Sequence, residues 1–355
     1  MFDGEKSRKL AETSGSFPTV PTPENGSGRV TIAHVADAAG VSVPTVSKVI
    51  NGRADVAPAT RARVERLLRE HGYRRRPPAR DRQAGLLDVV FNELASPWAI
   101  EIIRGVEEVA REHELGVVLS AQEGPGALGR SWVDAVASRR TAGVILVVSE
   151  LTEEQAARLR ARSIPFVVVD PAGEPAPGVP SVGATNWNGG LTATRHLLEL
   201  GHRRVGMIGG PPHVLCSRAR EDGYRTALAT AGLPVDPALI RHGDFHVDRA
   251  YEEGRALLSL PDPPTAIFAG SDLQAFGLYE AARVLGLRVP DDLSVIGFDD
   301  LPMARWAWPP LTTIRQPLTE MAATATRIVL GDDTQTRVEL ATSLVVRQST
   351  VAREP

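Results

Sequence analysis

The chain has 355 residues, 43% of them apolar, with a net charge of −3 and one cysteine. That is enough chain for two or three domains, each with a core that needs no covalent staple. No apolar run approaches the roughly 20 residues of a membrane span, no secretory-type apolar leader opens the chain, and one thiol excludes an internal disulfide; together these fit a reducing cytoplasm.

Residues 1–28 are rich in Ser, Pro, Gly and Thr, which predicts a disordered tail. Charge then separates the remainder. Residues 29–82 carry twelve Lys/Arg and five Asp/Glu, a balance of +7, whereas the tail is −1 and everything after Arg82 is −9. A basic block ahead of an acidic body suits contact between the block and a polyanion, although charge alone leaves a solvated face equally open.

Within the block, Thr31 is a cap for a helix whose Ile32, Val35, Ala36 and Ala39 fall at helical spacing. Gly40 supplies the left-handed turn, and Val41 is a candidate buried pivot. Ser42 starts a second helix with Val46, Val49 and Ile50 on its inner stripe, ended by Asn51-Gly52. A third opens at Pro58 and carries Val64, Leu67 and Leu68. Three short helices with a tight first turn match the helix-turn-helix, and a generic small bundle is the alternative. The outer face of the second helix favours the former. Val43, Pro44, Thr45 and Ser47 are short side chains that let a helix sit deep in a major groove, and Lys48 adds a cation. Thr31, Ser42, Ser47 and Asn51 suit phosphate contacts that fix register.

The run VTIAHVADAAGVSVPTVSKVINGRADVAPATRARVERLLREHGY, and AGVSVPTVSKVING above all, resembles the head of the lactose-repressor/galactose-repressor family. The resemblance implies that Val43, Pro44 and Thr45 face base edges and that Lys48 adds a base or phosphate contact. It also implies a short hinge helix after Gly-Tyr that wedges a leucine into the minor groove. Here the segment reads YRRRPPARDRQAGLL. Ala79 and Arg80 fit the family pattern, Pro77-Pro78 stand where helix should begin, and Arg82 replaces the leucine. An arginine does not unstack a base step as an apolar wedge does. A short helix from Pro78 with Arg82 in a narrow groove, and a flexible basic linker, both remain open.

From Leu86, apolar runs of four to six residues alternate with amphipathic stretches of twelve to fifteen. The runs predict strands at 86–91, 117–120, 143–148, 166–169, 204–208, 266–269 and 293–297. Helices are predicted around Ile102, Val106, Val109 and Ala110, around Leu191, Thr194 and Leu197, and around Leu273, Phe276, Gly277, Ala281 and Leu285. Such alternation implies parallel sheets covered on both faces, and the span suits two lobes. HLLELGHRRVGMIGGP, RAREDGYRTAL, LGLRVPDDLSVIGFDD and PPLTTIRQP extend the family resemblance over nearly the whole chain. The expected architecture is α/β: a tail (1–28), a three-helix helix-turn-helix head (29–74), a hinge (75–85), and a two-lobed, type I periplasmic-binding-protein-like domain (86–355) that binds an effector and dimerises.

Ligands of open α/β sheets bind beyond the carboxyl ends of the strands. Trp98, Asp170, Arg220, Phe245 and Asp272 follow strands or open helices there, at positions that the resemblance assigns to effector contact. Aromatic rings suit the C–H faces of a sugar, and Arg and Asp suit its hydroxyls. Structural alternatives exist: Asp272 as a helix cap, Trp98 as lobe packing, Arg220 paired with Glu221 or Asp222. Cys216 reads as an inert buried thiol near the pocket. The alternation His242, Asp244, His246, Asp248 superficially suggests a metal site and is not taken as one. GMIGGPP lacks the spacing of a dinucleotide loop, and no nucleophile–base constellation stands out.

The expectation is a cytoplasmic transcription regulator, not an enzyme, with no cofactor and no metal. It would be a homodimer that binds double-stranded operator DNA and no membrane, and is controlled by a carbohydrate. The carbohydrate-like character of the pocket residues favours repression relieved by the sugar, and corepression stays open. A periplasmic-type sugar-binding protein would share the body but not the basic head. The C-terminal LVVRQSTVAREP carries no leucine heptads, so a tetramerising coiled coil is not expected.

Overall fold

The structure is a computed structural model, and it describes residues 32–50, 56–70, 85–121, 130–148, 151–353. The chain divides into two compact units, Met1–Arg82 and Gln83–Pro355.

The first unit holds α1 (Ile32–Ala39), α2 (Val43–Ile50) and α3 (Pro58–Glu70). Gly40 adopts φ +61°. It lets the Gly40 N–H reach Asp37 O (3.1 Å) and the Val41 N–H reach Ala36 O (3.0 Å), the paired bonds that close a helix with a left-handed residue. Ser42 then caps α2, with its hydroxyl accepting from the Thr45 N–H at 3.4 Å. Val35, Ala36, Ala39, Val46, Val49, Val56 and Val64 form one small core. Of the stripes predicted from spacing, Val35, Ala36, Ala39, Val46, Val49 and Val64 are buried and Ile32, Leu67 and Leu68 pack against them, while the Ile50 side chain lies outside the described residues.

The second unit runs β1 (Leu86–Phe91), α4 (Pro97–Glu112), β2 (Gly116–Ala121), α5 (Arg130–Ser138), β3 (Gly143–Val147), α6 (Glu153–Ala161), β4 (Phe166–Val169) and β5 (Ser181–Ala184). It continues α7 (Asn186–Glu199), β6 (Val205–Gly209), α8 (Leu215–Thr230), β7 (Ile240–His242), α9 (Val247–Leu258), β8 (Ala266–Ala269), α10 (Asp272–Val284) and β9 (Ser294–Asp299). It ends β10 (Thr312–Arg315), α11 (Leu318–Leu330), β11 (Arg337–Leu340) and β12 (Ser343–Val345).

Two six-stranded sheets result. The N-terminal lobe has the order β2-β1-β3-β4-β5-β11, and the C-terminal lobe β7-β6-β8-β9-β10-β12. Every pairing is parallel except β10 with β12. The central strands are buried on both faces, hence their near-continuous Val, Ile and Leu. Each lobe doubles back at its first strand, so a crevice opens beyond the carboxyl ends of β1 and β3 in one and of β6 and β8 in the other.

All seven strands read from the sequence are present, three of them with the same ends and four with ends shifted by one or two residues. Val148, read as strand, instead turns out of β3 at φ 46°. Strands β5, β7, β10, β11 and β12 were not foreseen. They are short, and β11 is half exposed, so no apolar run marks it.

The chain crosses between lobes three times: β5 to α7, β10 to α11, and β11 to β12. The first and third crossings lie side by side, with the Thr185 N–H on Leu340 O (2.9 Å) and the Thr342 N–H on Thr185 Oγ1 (3.0 Å). Within each lobe, helix pairs touch at glycine. A Cβ on Gly105 of α4 would stand 2.1 Å from Thr319 O of α11, and one on Gly277 of α10 would stand 2.4 Å from Val247 O of α9. A Cβ on Gly190 of α7 would stand 2.1 Å from Arg220 O of α8.

Gly190→Ala is therefore expected to force α7 off α8, at a cost of about 1–3 kcal/mol. Thermal denaturation checks this: a melting temperature equal to the wild type would show that the two backbones are free to part.

Candidate functional site

In the first unit, α2 buries Val46 and Val49 and turns its other face outward. Val43 (39% exposed) and Pro44 stand exposed at its start, Thr45 and Ser47 are half-buried, and Lys48 is exposed in its last turn. Short side chains thus lead an outward face that ends in a cation. Thr31, Asn51 and Arg80, and the hinge residues Pro77, Pro78 and Arg82, lie outside the described residues.

In the second unit, a cavity of about 350 Å³ lies between the lobes, lined from the ends of β1, β3 and β4 on one side and of β7, β8 and β9 on the other. Trp98, Asp170, Arg220 and Phe245 all line it. Trp98 also packs against the N-lobe core, as its reading as a lobe-packing residue has it.

Arg220 is 3% exposed. Its Nε donates to Asn186 Oδ1 (2.9 Å) and its Nη1 to Gly270 O (2.6 Å). The guanidinium stacks 3.8 Å over the Phe298 ring and lies 5.7 Å from that of Phe245. It does not pair with its chain neighbours, because adjacent residues of a helix point apart. Glu221 instead takes Arg225 and His242.

Asp170 leaves β4 at φ 47° and is 5% exposed. Burial pushes its carboxyl above the ordinary value, opposed by Arg220 and by hydrogen bonds with Cys216 and Asn186. Burial likewise raises the Cys216 thiol, which suits an unreactive role. Phe245 sits at φ 71° with its ring against Gly210, where a Cβ would stand 2.0 Å from Cζ. Gly210 is thus the floor under that aromatic face.

Asp272 does not line the cavity. It is fully buried behind it, with Oδ1 accepting from the Thr313 hydroxyl (2.6 Å) and Oδ2 from the Leu301 N–H (2.7 Å). Burial, then the charge of Asp299, hold its carboxyl well above the usual range. The cap of α10 is Ser271, one residue earlier, which accepts from the Gln274 N–H (3.1 Å), donates to Phe245 O (3.0 Å) and faces the cavity.

Asp299, in the run GFDD, joins the predicted residues in the cavity. It ends β9, lines the cavity, and lies 4.0 Å from Arg220 Nη1. Gln316 Nε2 donates to its Oδ1 at 2.6 Å. Burial pushes its carboxyl up to about 7, against the pull of Arg220 and Gln316. Its position after a strand, like that of Asp170, was the available signal. Glu93, which no motif marks, pairs across the cleft with His246 of the alternating run at 2.9 Å. His242 binds Glu221 instead, so the alternating His/Asp run is divided between two partners. Among the described residues, no group of three His, Cys, Asp or Glu is placed to hold a metal ion, and no helix is long and apolar enough to cross a membrane.

Comparison with known proteins decides what this pairing of a helical head and a two-lobed body is. Residues 31–76 match bacterial regulatory proteins of the lacI family, and residues 194–350 match a periplasmic binding protein-like domain. The HTH-type transcriptional repressor CytR of Escherichia coli (strain K12) is 34% identical over 303 residues, covering 84% of this chain and 89% of CytR. The chain belongs to the LacI family of transcriptional regulators. In structure it resembles the transcriptional regulator CelR in complex with cellobiose (34% identity, TM-score 0.68, 90% of this chain and 100% of that one). It also resembles the lac repressor dimer bound to operator and the anti-inducer ONPF (28% identity, TM-score 0.65, 92% and 100%). This LacI-family protein is accordingly a DNA-binding transcription regulator and not an enzyme.

The raised acid gives a pH signature. Folded Asp299 keeps its proton up to about pH 7, whereas unfolded Asp releases it near 3.8. The folded state therefore binds more protons in that window, and stability falls as pH rises through it. Asp299→Asn should flatten this slope and stabilise the protein more at pH 8 than at pH 5. Melting temperatures across pH test it; an unchanged slope would mean that Asp299 is ionised throughout.

Proposed function

We propose that this regulator is a cytoplasmic homodimeric repressor that leaves its operator when a sugar occupies the cavity between its lobes. Residues 29–74 form the reading head, 75–85 its linker and 86–355 the sensor. The observation that carries the reading is the convergence of Trp98, Phe245, Arg220, Asp170 and Asp299 on one cavity. Aromatic faces beside a fixed guanidinium and carboxylates match the alternating C–H faces and hydroxyls of a sugar ring. Cellobiose in the related CelR supports the same ligand class. Buried polar groups left unpaired by the wrong ligand give such a site its selectivity.

Val43, Pro44 and Thr45 read base edges, while Thr31, Ser42, Ser47, Lys48, Asn51 and Arg80 hold the phosphates and set register. Two identical heads read a near-palindromic site, as two-fold symmetry requires. Trp306 and Trp308 are 81% and 91% exposed, and a partner subunit covering them accounts for such large apolar side chains at the surface. Closure of the lobes on the sugar shifts the population of dimers away from the head spacing that fits the operator.

Selection of DNA sites with the purified protein, followed by titration with mono- and disaccharides including cellobiose, tests this. A palindromic site should emerge, and one sugar should weaken binding by roughly 5–150-fold. Arg220→Ala should abolish the sugar response and lower the melting temperature, because Asp170 and Asp299 lose their buried cation. No specific site at moderate salt would overturn the DNA reading; a site indifferent to every sugar would overturn the ligand class. In the same assay Lys48→Ala should weaken all DNA sequences alike and lower the salt slope by about 1, as for a phosphate contact.

A further inference from the structure

A second cavity, of about 230 Å³, lies in the sensor unit beside the first crossing between the lobes. Asp170 and Cys216 line both cavities, so the wall between them is the thickness of these two side chains. The second space is bounded by the first turn of α7 and by β5 and β11, the elements on either side of the first and third crossings.

Its floor includes Gly183, in the interior of β5 and opposite Glu339 of β11. Glycine weakens a strand, and it is kept in one where a backbone conformation, a close neighbour or an approaching ligand requires it. The first two reasons are absent. Gly183 is not among the glycines of positive φ, and a Cβ there would meet nothing within 4 Å. The missing side chain opens into the cavity instead.

The rest of the lining has a definite chemistry. Trp187, 40% exposed, presents an aromatic ring at the rim. Asn188 supplies a neutral amide, beside Asn186 and Thr185, whose polar atoms already bond Arg220, Ala184 and Thr342 and have capacity for one further partner. Asp170, Glu174 and Glu339 outnumber the single guanidinium of Arg337, which Glu174 already holds at 2.8 Å. An excess of carboxylates disfavours an anion, and an aromatic ring beside amides and hydroxyls suits a polyol.

We propose that this second cavity is a binding site for a small, uncharged polyhydroxylated molecule, separate from the effector cavity and coupled to it. The coupling is geometric. Asn186 faces the second cavity, and its Oδ1 holds the Nε of Arg220 in the first. An occupant that draws on Asn186 alters the support of the guanidinium, and one beside Asp170 and Cys216 presses on the shared wall. The site stands apart from the sugar-effector reading, which enters only as the comparison in its test.

The test is calorimetric titration of the full chain with D-glucose, D-ribose, glycerol and cellobiose, in the wild type and three variants. Gly183→Leu fills the second cavity, Trp187→Ala removes its ring, and Phe245→Ala alters the first cavity alone. At least one of these compounds should lose about tenfold or more in affinity in Gly183→Leu and Trp187→Ala, and change less than about twofold in Phe245→Ala. If Gly183→Leu melts early, Trp187→Ala, at an exposed position, decides. Binding that depends only on Phe245 would overturn the second site and leave the effector reading intact. Binding that depends only on Gly183 and Trp187 would do the reverse, and no binding at all would overturn both.

Discussion

A buried guanidinium organises the sensor. Arg220 lies over the Phe298 ring, bonds Asn186 at the first crossing and Gly270 after β8, and balances Asp170 of one lobe and Asp299 of the other. A charge taken so far from water is tolerated only where its donors are met and counter-charges stand near. Here those partners come from both lobes. The groups that stabilise the cation are thereby the groups that line the ligand cavity. With more carboxylates than cations in the cluster, burial leaves Asp170, Asp272 and Asp299 with raised proton affinity. The cavity is poised to exchange bonds with hydroxyls at low cost in net charge.

The backbone keeps Arg220 in place. Gly190 and Gly223 bring α7 and α8 so close that a methyl group at either would strike main-chain atoms of the other helix. The carbonyl that Gly190 abuts is that of Arg220 itself. The position of the guanidinium is thus set by main-chain contact as well as by its hydrogen bonds. Phe245 is fixed in the same way, by the absence of a side chain at Gly210.

Periodicity made the head legible: the stripe Val35, Ala36, Ala39 and the pair Val46, Val49 were readable as buried faces because each helix has one apolar side. The doubly buried strands were equally plain, since burial on both faces requires continuous apolar sequence. The shortest strands were not: the interior β5 and β10 have only four residues each, and Arg337–Leu340 alternates between exposed and half-buried positions and resembles loop. In the cavity, the carboxyl ends of strands led to Trp98, Asp170, Arg220 and Phe245. The phase of a helix start was harder to read. Ser271 and Asp272 are adjacent, yet one turns to the cavity and the other to Thr313 and Leu301. That choice depends on long-range partners that no local pattern encodes. The same limit hid the Glu93–His246 pair, whose members are far apart in the chain.

The three crossings have a mechanical consequence. One covalent connection would leave two lobes free to twist, splay and slide. Three connections, two of them hydrogen-bonded side by side through Thr185, Leu340 and Thr342, resist torsion and shear and leave a single easy degree of freedom, rotation about an axis through the crossing strands. Main-chain contacts at Gly105, Gly190 and Gly277 make each lobe stiff, so little of that rotation is lost to internal strain. A ligand of modest size, acting at one end of such a lever, is converted into displacement at the other.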